Sequence, residues 1–357
     1  MMKKNFKIEN KEVGSSNPVY FIADIAANHD GDLNRAKDLI YLAAETGADA
    51  AKFQHFKAET IVSDRGFKSL GSQQSHQSKW KKSVFEVYKD ASVSLDWTNE
   101  IVDTCKKAGI TFFTSPYSKD LVDSIDPYVP AYKIGSGDIT WIEMVEHIAS
   151  KGKPYILASG ASTIEDVNRA VNAALALNSQ FCLMQCNTNY TASLENFKFI
   201  NLNVLKSYRE MYPNIILGLS DHTPGHSTVL GAVAFGAKMI EKHFTDDTSR
   251  VGPDHQFSMD PNTWREMVDR TRELENAIGQ GIKKVESNEK ETVILQRRSI
   301  RLVKDLPSGT QIELKYLEFL RPCPSDGLAP YEIKNLIGKK LVNDKLKGDH
   351  LRWIDLK

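Results

Sequence analysis

The residues with most chemical reach in this chain are two histidines and two lysines, each near the end of a short apolar run. His222 closes Gly218-Leu219-Ser220-Asp221-His222, and His243 closes Ile240-Glu241-Lys242-His243. Neutral imidazoles at the ends of adjacent strands are a common way to hold a divalent metal. Two protein ligands leave coordination positions open, which suits Mn2+ or Mg2+ with water and substrate better than structural zinc. The alternative is one catalytic histidine and one hydrogen-bonded core histidine.

The lysines stand in Lys52-Phe53-Gln54 and in Lys133-Ile134-Gly135-Ser136-Gly137-Asp138. Alternation along a strand puts Lys52 and Gln54 on one side. A lysine inside a barrel is costly unless it meets an anion. Together Lys52 and Lys133 could balance a phosphate dianion; a structural ion pair to a barrel carboxylate is the competing reading. The glycines beside Ser136 allow close backbone approach to an oxyanion. Ala158-Ser159-Gly160-Ala161 is a second small-residue turn of that kind. Further strand-end polar groups are Asp24, Thr114 in Thr114-Ser115-Pro116-Tyr117, and Thr188 and Tyr190 in Cys186-Asn187-Thr188-Asn189-Tyr190. Asp254, in Gly252-Pro253-Asp254-His255, is a candidate base or substrate ligand, or else a loop cap.

These groups need a frame that gathers strand ends. Nearly continuous apolar runs predict parallel strands, covered on both faces, over 20–26, 48–54, 110–114, 131–135, 154–159, 181–186, 215–219 and 238–243. Helical periodicity lies between them, at 33–46, 96–108 and 164–177. Ser94 or Asp96 suits the start of the second helix, Ser162 or Thr163 that of the third, and Gly47 and Gly109 suit helix ends. The fold expected is α/β, a (β/α)8 barrel over 1–278, with reactive groups at the carboxyl ends of its strands. An open doubly wound sheet would want a Gly-rich loop after the first strand, where Ala26-Ala27-Asn28-His29-Asp30-Gly31 stands instead. The stretch 57–93, with Ser72, Gln73, Gln74, Ser75, His76, Gln77 and Ser78, reads as a long structureless loop, either a disordered insertion or a lid. A linker is expected over 279–296. A small β-rich domain is expected over 297–357, with β-type pieces at 298–303, 311–320, 331–336, 338–342 and 351–354.

Formal net charge is zero and the pI is near 7.1, which gives no bulk attraction to nucleic acid or membrane. The polar, lysine-rich start lacks the apolar stretch of a signal peptide, and no run is long enough to span a bilayer. Cys105, Cys182, Cys186 and Cys323 are scattered without zinc spacing, so reduced thiols in a cytoplasmic protein are expected.

The strand-end segments, in this order, resemble the sialic acid synthase family, which includes the legionaminic and pseudaminic acid synthases. The matching stretches are 23–31, 52–54, 132–138, 218–223, 241–245 and 252–255, and the tail resembles the antifreeze-protein-like SAF domain of those enzymes. The resemblance implies a C–C bond-forming transferase that condenses phosphoenolpyruvate with an N-acylated amino-hexose such as N-acetylmannosamine and releases phosphate by C–O cleavage. It also admits a di-N-acetylated 6-deoxyhexose as acceptor. It implies a divalent metal, Mn2+ or else Mg2+ or Co2+, on His222 and His243. Phosphoenolpyruvate would be held at Lys52, Thr114, Lys133, Ser136, Thr188 and Ser220, and the sugar near Gln54, Tyr190 and Asp254. Catalytic roles fall on Asp24, Asp254, Lys52 and Lys133, and Asp138 joins the substrate-binding set. Arg321, before Pro322, would reach the sugar's acyl group from a partner subunit, which implies a domain-swapped homodimer.

Three positions depart from the family pattern. Asp24 and Asp138 stand where glutamate is usual, and Ala158 stands where a serine is expected, with Ser159 one place along. A displacement near 1 Å can alter catalysis strongly, so these changes point to a different acceptor or a repositioned water. Octulosonate and heptulosonate synthases share the condensation but lack a tail such as 297–357. A non-catalytic carbohydrate- or ice-binding role fits poorly, because the tail carries Lys304, Asp305, Glu313, Lys315 and Glu318.

Overall fold

The structure, a computed structural model, describes residues 5–72 and 75–357. The chain forms two compact units, Met1–Gly279 and Gln280–Lys357.

The first unit opens with an antiparallel hairpin, β1 (Asn5–Ile8) and β2 (Lys11–Gly14). Eight parallel strands follow: β3 (Tyr20–Asp24), β4 (Ala50–His55), β5 (Thr111–Pro116), β6 (Tyr132–Ile134), β7 (Tyr155–Ala158), β8 (Phe181–Cys186), β9 (Ile216–Asp221) and β10 (Met239–His243). They close into a barrel in chain order, with β10 pairing β3 so that His243 lies opposite Asp24. All eight expected strands are present; their ends differ by up to two residues, and the observed β5 runs on past Thr114 to Pro116.

Side-chain alternation divides the strands between two cores. Phe21, Phe53, Phe112, Tyr132, Leu157, Leu183, Leu219 and Ile240 pack outward against the helices. Tyr20, Ile22, Ala50, Phe113, Ala131, Ile156, Cys182, Met184 and Met239 fill the interior, together with Phe6, Ile8 and Val13 of the hairpin. The hairpin therefore plugs the end of the barrel where the strands begin, which the polar reading of the first ten residues did not anticipate. Burying one such Phe or Ile contributes roughly 1.5–3 kcal/mol.

The helices start and stop where their capping residues direct. The helix Leu33–Glu45 is capped by Asp32, which accepts from the N–H groups of Asn34 and Arg35, and it buries Ala36, Leu39, Ile40 and Ala43. The helix Thr98–Ala108 ends at Gly109, whose φ of 75° is left-handed. Ser94 caps the short turn Leu95–Trp97 that precedes this helix. The helix Ile164–Leu177 begins with a Thr163–Asp166 capping box.

The stretch 57–93 differs from its expected structureless form. It holds the helices Ala58–Ile61, Asp64–Ser69 and Val84–Ala91 and the 3-10 turn Ser75–Lys79. Each piece is too short to register as a periodic helix, and local caps define it instead. Ser63 accepts from Gly66 N–H, and Ser83 forms a capping box with Glu86. Gln73 and Gln74 lie outside the described residues.

In the second unit, β11 (Ser299–Leu302) pairs antiparallel with β12 (Leu317–Leu320) over a core of Ile300, Leu302, Leu306, Ile312, Leu328, Leu336, Leu341 and Leu351. The piece expected as β at 331–336 is helical: a 3-10 turn Pro330–Glu332 leads into Ile333–Leu336. The stretch read as linker contains the helix Lys290–Gln296, tied to this unit by the hydrogen bond from Cys323 N–H to Ile294 O at 2.9 Å. Among the described residues no helix is long and apolar enough to cross a membrane.

Candidate active site

Strand phase brings a charged cluster to the carboxyl ends of the barrel strands. Ile22, Ala50, Phe113, Ala131 and Met239 face the interior. Asp24, Lys52, Ser115, Lys133 and Glu241, two residues further along each strand, face it as well. Lys52 Nζ lies 2.6 Å from Asp24 Oδ2 and 3.6 Å from Glu241 Oε2. Lys133 Nζ lies 3.1 Å from Glu241 Oε1, and Ser220 Oγ donates to that same oxygen at 3.0 Å. Gln54 Nε2 donates to Asp24 Oδ2 at 3.2 Å. Lys52 Nζ also reaches Ser115 Oγ at 3.5 Å.

Two ammonium groups thus meet two carboxylates in a buried pocket. Burial alone would raise the Glu241 carboxyl, but Lys133 and Lys52 outweigh it and hold the group at about 2. Burial likewise opposes the charge on Lys52, and Asp24 and Glu241 overcome it, keeping the ammonium above its ordinary value. Asp24 is pushed up by burial against the pull of Lys52. Glu241 Oε2 is buried without a hydrogen-bond partner.

Above this cluster sit the imidazoles of His222 and His243, with ring centroids 5.3 Å apart. His222 Nδ1 lies 2.9 Å from the carbonyl of Asn187. A carbonyl only accepts, so Nδ1 carries the proton and Nε2 keeps its lone pair. His243 Nε2 is 3.6 Å from Asp24 Oδ2, and its Nδ1, 3.9 Å from Asp254 Oδ2, is buried without a hydrogen bond. Burial lowers both rings to about 3, so both are neutral at pH 7, the form that binds cations. Among the described residues no group of three or more His, Cys, Asp or Glu forms a complete metal cage. Asp254 Oδ2 accepts from Ala27 N–H at 3.1 Å, and burial pushes the carboxyl up to about 7.

Tyr190 covers the imidazoles. Its ring centroid is 4.3 Å from His222, 6.2 Å from His243 and 5.2 Å from Phe257. Beyond it opens a cavity of about 760 Å³ between the 57–93 excursion and the segment after β10. Its walls include Trp80, Val87, Ala91, Pro253 and Phe257, with Lys82, Asp90, Asp30 and Arg250 among its polar groups. Lys82 pairs with Asp90 at 2.6 Å and Arg250 with Asp30 at 2.8 Å, so these charges are already matched.

The fifth strand end contributes a turn that only glycine permits. A Cβ on Gly160 would fall 2.5 Å from Thr188 Cγ2 and 2.9 Å from Ser136 Oγ. Gly160 N–H donates to Ser136 Oγ at 3.0 Å, which joins Thr188 and Ser136 at the edge of the pocket. Asp138 closes the turn Ser136–Asp138, and burial lifts its carboxyl to about 6.

The structure therefore gathers Asp24, Lys52, Gln54, Lys133, Ser220, His222 and His243 into one contact network, with Asp254 and Tyr190 against the imidazoles. Ser136 and Thr188 meet at Gly160. Asp138 lies two residues beyond Ser136, and no hydrogen bond links its carboxyl to this network. Thr114 is not brought in. Its hydroxyl lies 2.7 Å from His55 Nδ1 and donates to Phe53 O at 3.1 Å, on the helix side of the barrel. Ser115 takes the inward position, because β5 continues past Thr114 and the phase set by Phe113 falls on the next residue but one. Ser159 also faces outward, donating to Met184 O and accepting from Tyr208, while Ala158 faces the interior. Arg321 belongs to the second unit, where its Nε donates to Gln296 O at 2.7 Å.

Besides Ser115, which stands in the place expected for Thr114, two residues were missed. Glu241 was detectable, since it precedes His243 by two and shares its phase. His76, whose ring meets Tyr190 with centroids 5.1 Å apart, gave no signal in the sequence beyond lying in the long excursion.

Residues 39–283 match the NeuB family and residues 297–357 match the SAF domain. The N,N'-diacetyllegionaminic acid synthase of Legionella pneumophila is 36% identical over 99% of each chain. The human N-acetylneuraminate-9-phosphate synthase is 32% identical over 92% of this chain and 90% of that one. The solved N-acetylneuraminic acid synthetase of Leptospira borgpetersenii superposes with a TM-score of 0.72 at 27% identity, covering 82% of this chain and 95% of its own. With its barrel and its tail both matched, this chain belongs to the NeuB family of sialic-type acid synthases and is an enzyme of their C–C bond-forming transferase class.

Proposed function

We propose that the barrel joins C3 of phosphoenolpyruvate to the aldehyde carbon of an open-chain N-acylated amino-hexose and releases inorganic phosphate. The observation that carries this reading is the pair of buried lysines, Lys52 and Lys133, directly beneath two neutral imidazoles. An enol phosphate with a carboxylate needs cations, and an aldehyde beside it needs an electrophilic activator. The lysines hold the phosphate and carboxylate of phosphoenolpyruvate, with Ser136, Ser220 and the inward Ser115 adding hydroxyl donors. C3 attacks the aldehyde carbon, a C–C bond forms, and the aldehyde oxygen takes up a proton. Water adds at the positively charged C2 and loses a proton, leaving a C2 hydroxyl. The bond from C2 to the phosphate oxygen then breaks as that hydroxyl gives up its proton and becomes the C2 carbonyl, and phosphate departs with the bonding electrons. Asp254 and Asp138, both pushed up by burial, hold or accept protons on the sugar side.

The unpartnered Nδ1 of buried His243 and the free Nε2 lone pair of His222 fit a divalent metal with several open positions, Mn2+ in this reading and otherwise Mg2+ or Co2+. When bound, such an ion supplies Lewis acidity toward the aldehyde oxygen.

The cavity favours a second acceptor alongside N-acetylmannosamine. Its apolar walls at Trp80, Val87, Ala91, Pro253 and Phe257 suit a methyl-bearing di-N-acetylated 6-deoxyhexose, the acceptor of a legionaminic or pseudaminic acid synthase. The same reading includes a cytoplasmic, domain-swapped homodimer in which Arg321 of one subunit serves the sugar of the other. Mass spectrometry of products from phosphoenolpyruvate and a panel of mono- and di-N-acylated hexosamines tests the reading. A nine- or more-carbon keto acid from one of them is expected; no product from any, with Mn2+ present, would refute it.

A further inference from the structure

The mouth cavity contains a nitrogen that the reaction scheme leaves unused. His76 sits on the 3-10 turn Ser75–Lys79, half-buried, with its ring edge-on to Tyr190 at 5.1 Å and to Trp80 at 5.4 Å between centroids. Its Nδ1 is buried without a hydrogen-bond partner. Several ionisable groups of the wall are matched: Asp30 by Arg250 and His255, and Lys82 by Asp90. A buried polar atom left open in the wall of a ligand cavity is satisfied when the ligand arrives.

We propose that His76 is a specificity-determining residue for the acceptor, offering its ring nitrogen to the acylamino group next to the sugar's aldehyde carbon. The placement follows from two ring contacts. Tyr190 lies 4.3 Å from His222, at the imidazole pair assigned to the aldehyde, and His76 lies on Tyr190. With one aromatic ring between it and the imidazole pair, His76 is assigned to the substituent borne by the carbon beside the reacting centre. An acylamino group suits this corner better than a hydroxyl does. Its methyl has the aromatic surfaces of Trp80, Tyr190 and Phe257, while its amide has the histidine nitrogen. Burial keeps the ring neutral, so it carries one N–H and one lone pair and can serve either end of an amide.

This inference rests on the proposed condensation with an N-acylated amino sugar, and the test separates the two. Steady-state kinetics compare wild type, His76→Phe and His76→Asn with N-acetylmannosamine, its 2-hydroxy counterpart mannose, and phosphoenolpyruvate. Phe keeps the ring packing but has no nitrogen; Asn keeps a hydrogen-bonding atom. In His76→Phe the KM for N-acetylmannosamine should rise about tenfold or more, with the KM values for mannose and phosphoenolpyruvate within about twofold of wild type. His76→Asn should recover much of the preference. An unchanged N-acetylmannosamine KM in His76→Phe would reduce the residue to packing and overturn the inference. An equal rise for all three compounds would overturn it too. Absence of turnover in wild type with these compounds and with the whole panel of mono- and di-N-acylated hexosamines would refute the proposed condensation itself.

Discussion

Replacing Glu241 by Gln should destabilise the barrel while increasing its response to phosphate. Glu241 is the carboxylate shared by both site lysines, at 3.1 Å from Lys133 and 3.6 Å from Lys52. Its carboxyl is drawn from an ordinary 4.5 to about 2. That depression corresponds to on the order of 3 kcal/mol at neutral pH. Because the folded value is lowered, this stability is fully present above the unfolded value near 4.5 and is lost as pH falls from there toward 2. In Glu241→Gln the two buried ammonium groups keep only Asp24. Leaving a buried charge uncompensated costs roughly 3–5 kcal/mol. In a unit of this size 3 kcal/mol lowers the melting temperature by about 6–12 °C. Phosphate then supplies the missing negative charge. A ligand at 100 times its dissociation constant returns about 2.7 kcal/mol. Thermal unfolding of both proteins at neutral pH, with and without millimolar inorganic phosphate, measures each quantity. The variant should melt lower and gain more from phosphate than wild type does. A variant that melts with wild type and gains no more from phosphate would show that the lysines do not depend on Glu241, and the anion-site reasoning would fail.

Three further predictions concern neighbouring groups. Asp254→Asn should raise stability at pH 8 by a few kcal/mol while abolishing turnover; the folded carboxyl titrates near 7 against an ordinary 3.8, so the folded state loses stability as pH climbs through that window. Melting curves from pH 4 to pH 8 should converge at the acid end, and parallel curves would contradict the assignment. Thr114→Val should leave the KM for phosphoenolpyruvate within about twofold and cost roughly 1 kcal/mol of stability, whereas Ser115→Ala should raise that KM several-fold; the reverse order would return Thr114 to the site. His222→Ala should lose at least about a hundredfold in kcat with an unaltered circular dichroism spectrum; near-wild-type activity that still depends on added Mn2+ would exclude His222 as a metal ligand.

Most of the frame was legible because parallel barrel strands are buried on both faces and read as apolar runs. The strand over 181–186 is observed as Phe181–Cys186, and the others shift by a residue or two. Phase was harder. Apolar runs covered on both sides carry no polar alternation to mark the inner face, so Thr114 and Ser115 were exchangeable until the interior position of Phe113 was known. Lys52 and Gln54 were read as sharing one side by alternation, and the fold turns Lys52 inward onto Asp24. Glu241 and Lys242 are adjacent charges, and only the fold shows that one faces the site while the other pairs outward with Asp221 at 2.5 Å. The hairpin was missed because β1 and β2 have four residues each and only Phe6, Ile8 and Val13 are buried. The short helices of 57–93 depend on caps and on packing against the barrel mouth, and His76 reaches Tyr190 across more than a hundred residues of sequence.

Phosphoenolpyruvate labelled with oxygen-18 in the bridge between C2 and phosphorus tests the proposed chemistry most directly. With an N-acylated amino-hexose and Mn2+ present, the account predicts that the label leaves with inorganic phosphate, one phosphate for each sugar acid formed and none without the acceptor. Unlabelled phosphate, or phosphate released at the same rate when the sugar is omitted, would contradict it.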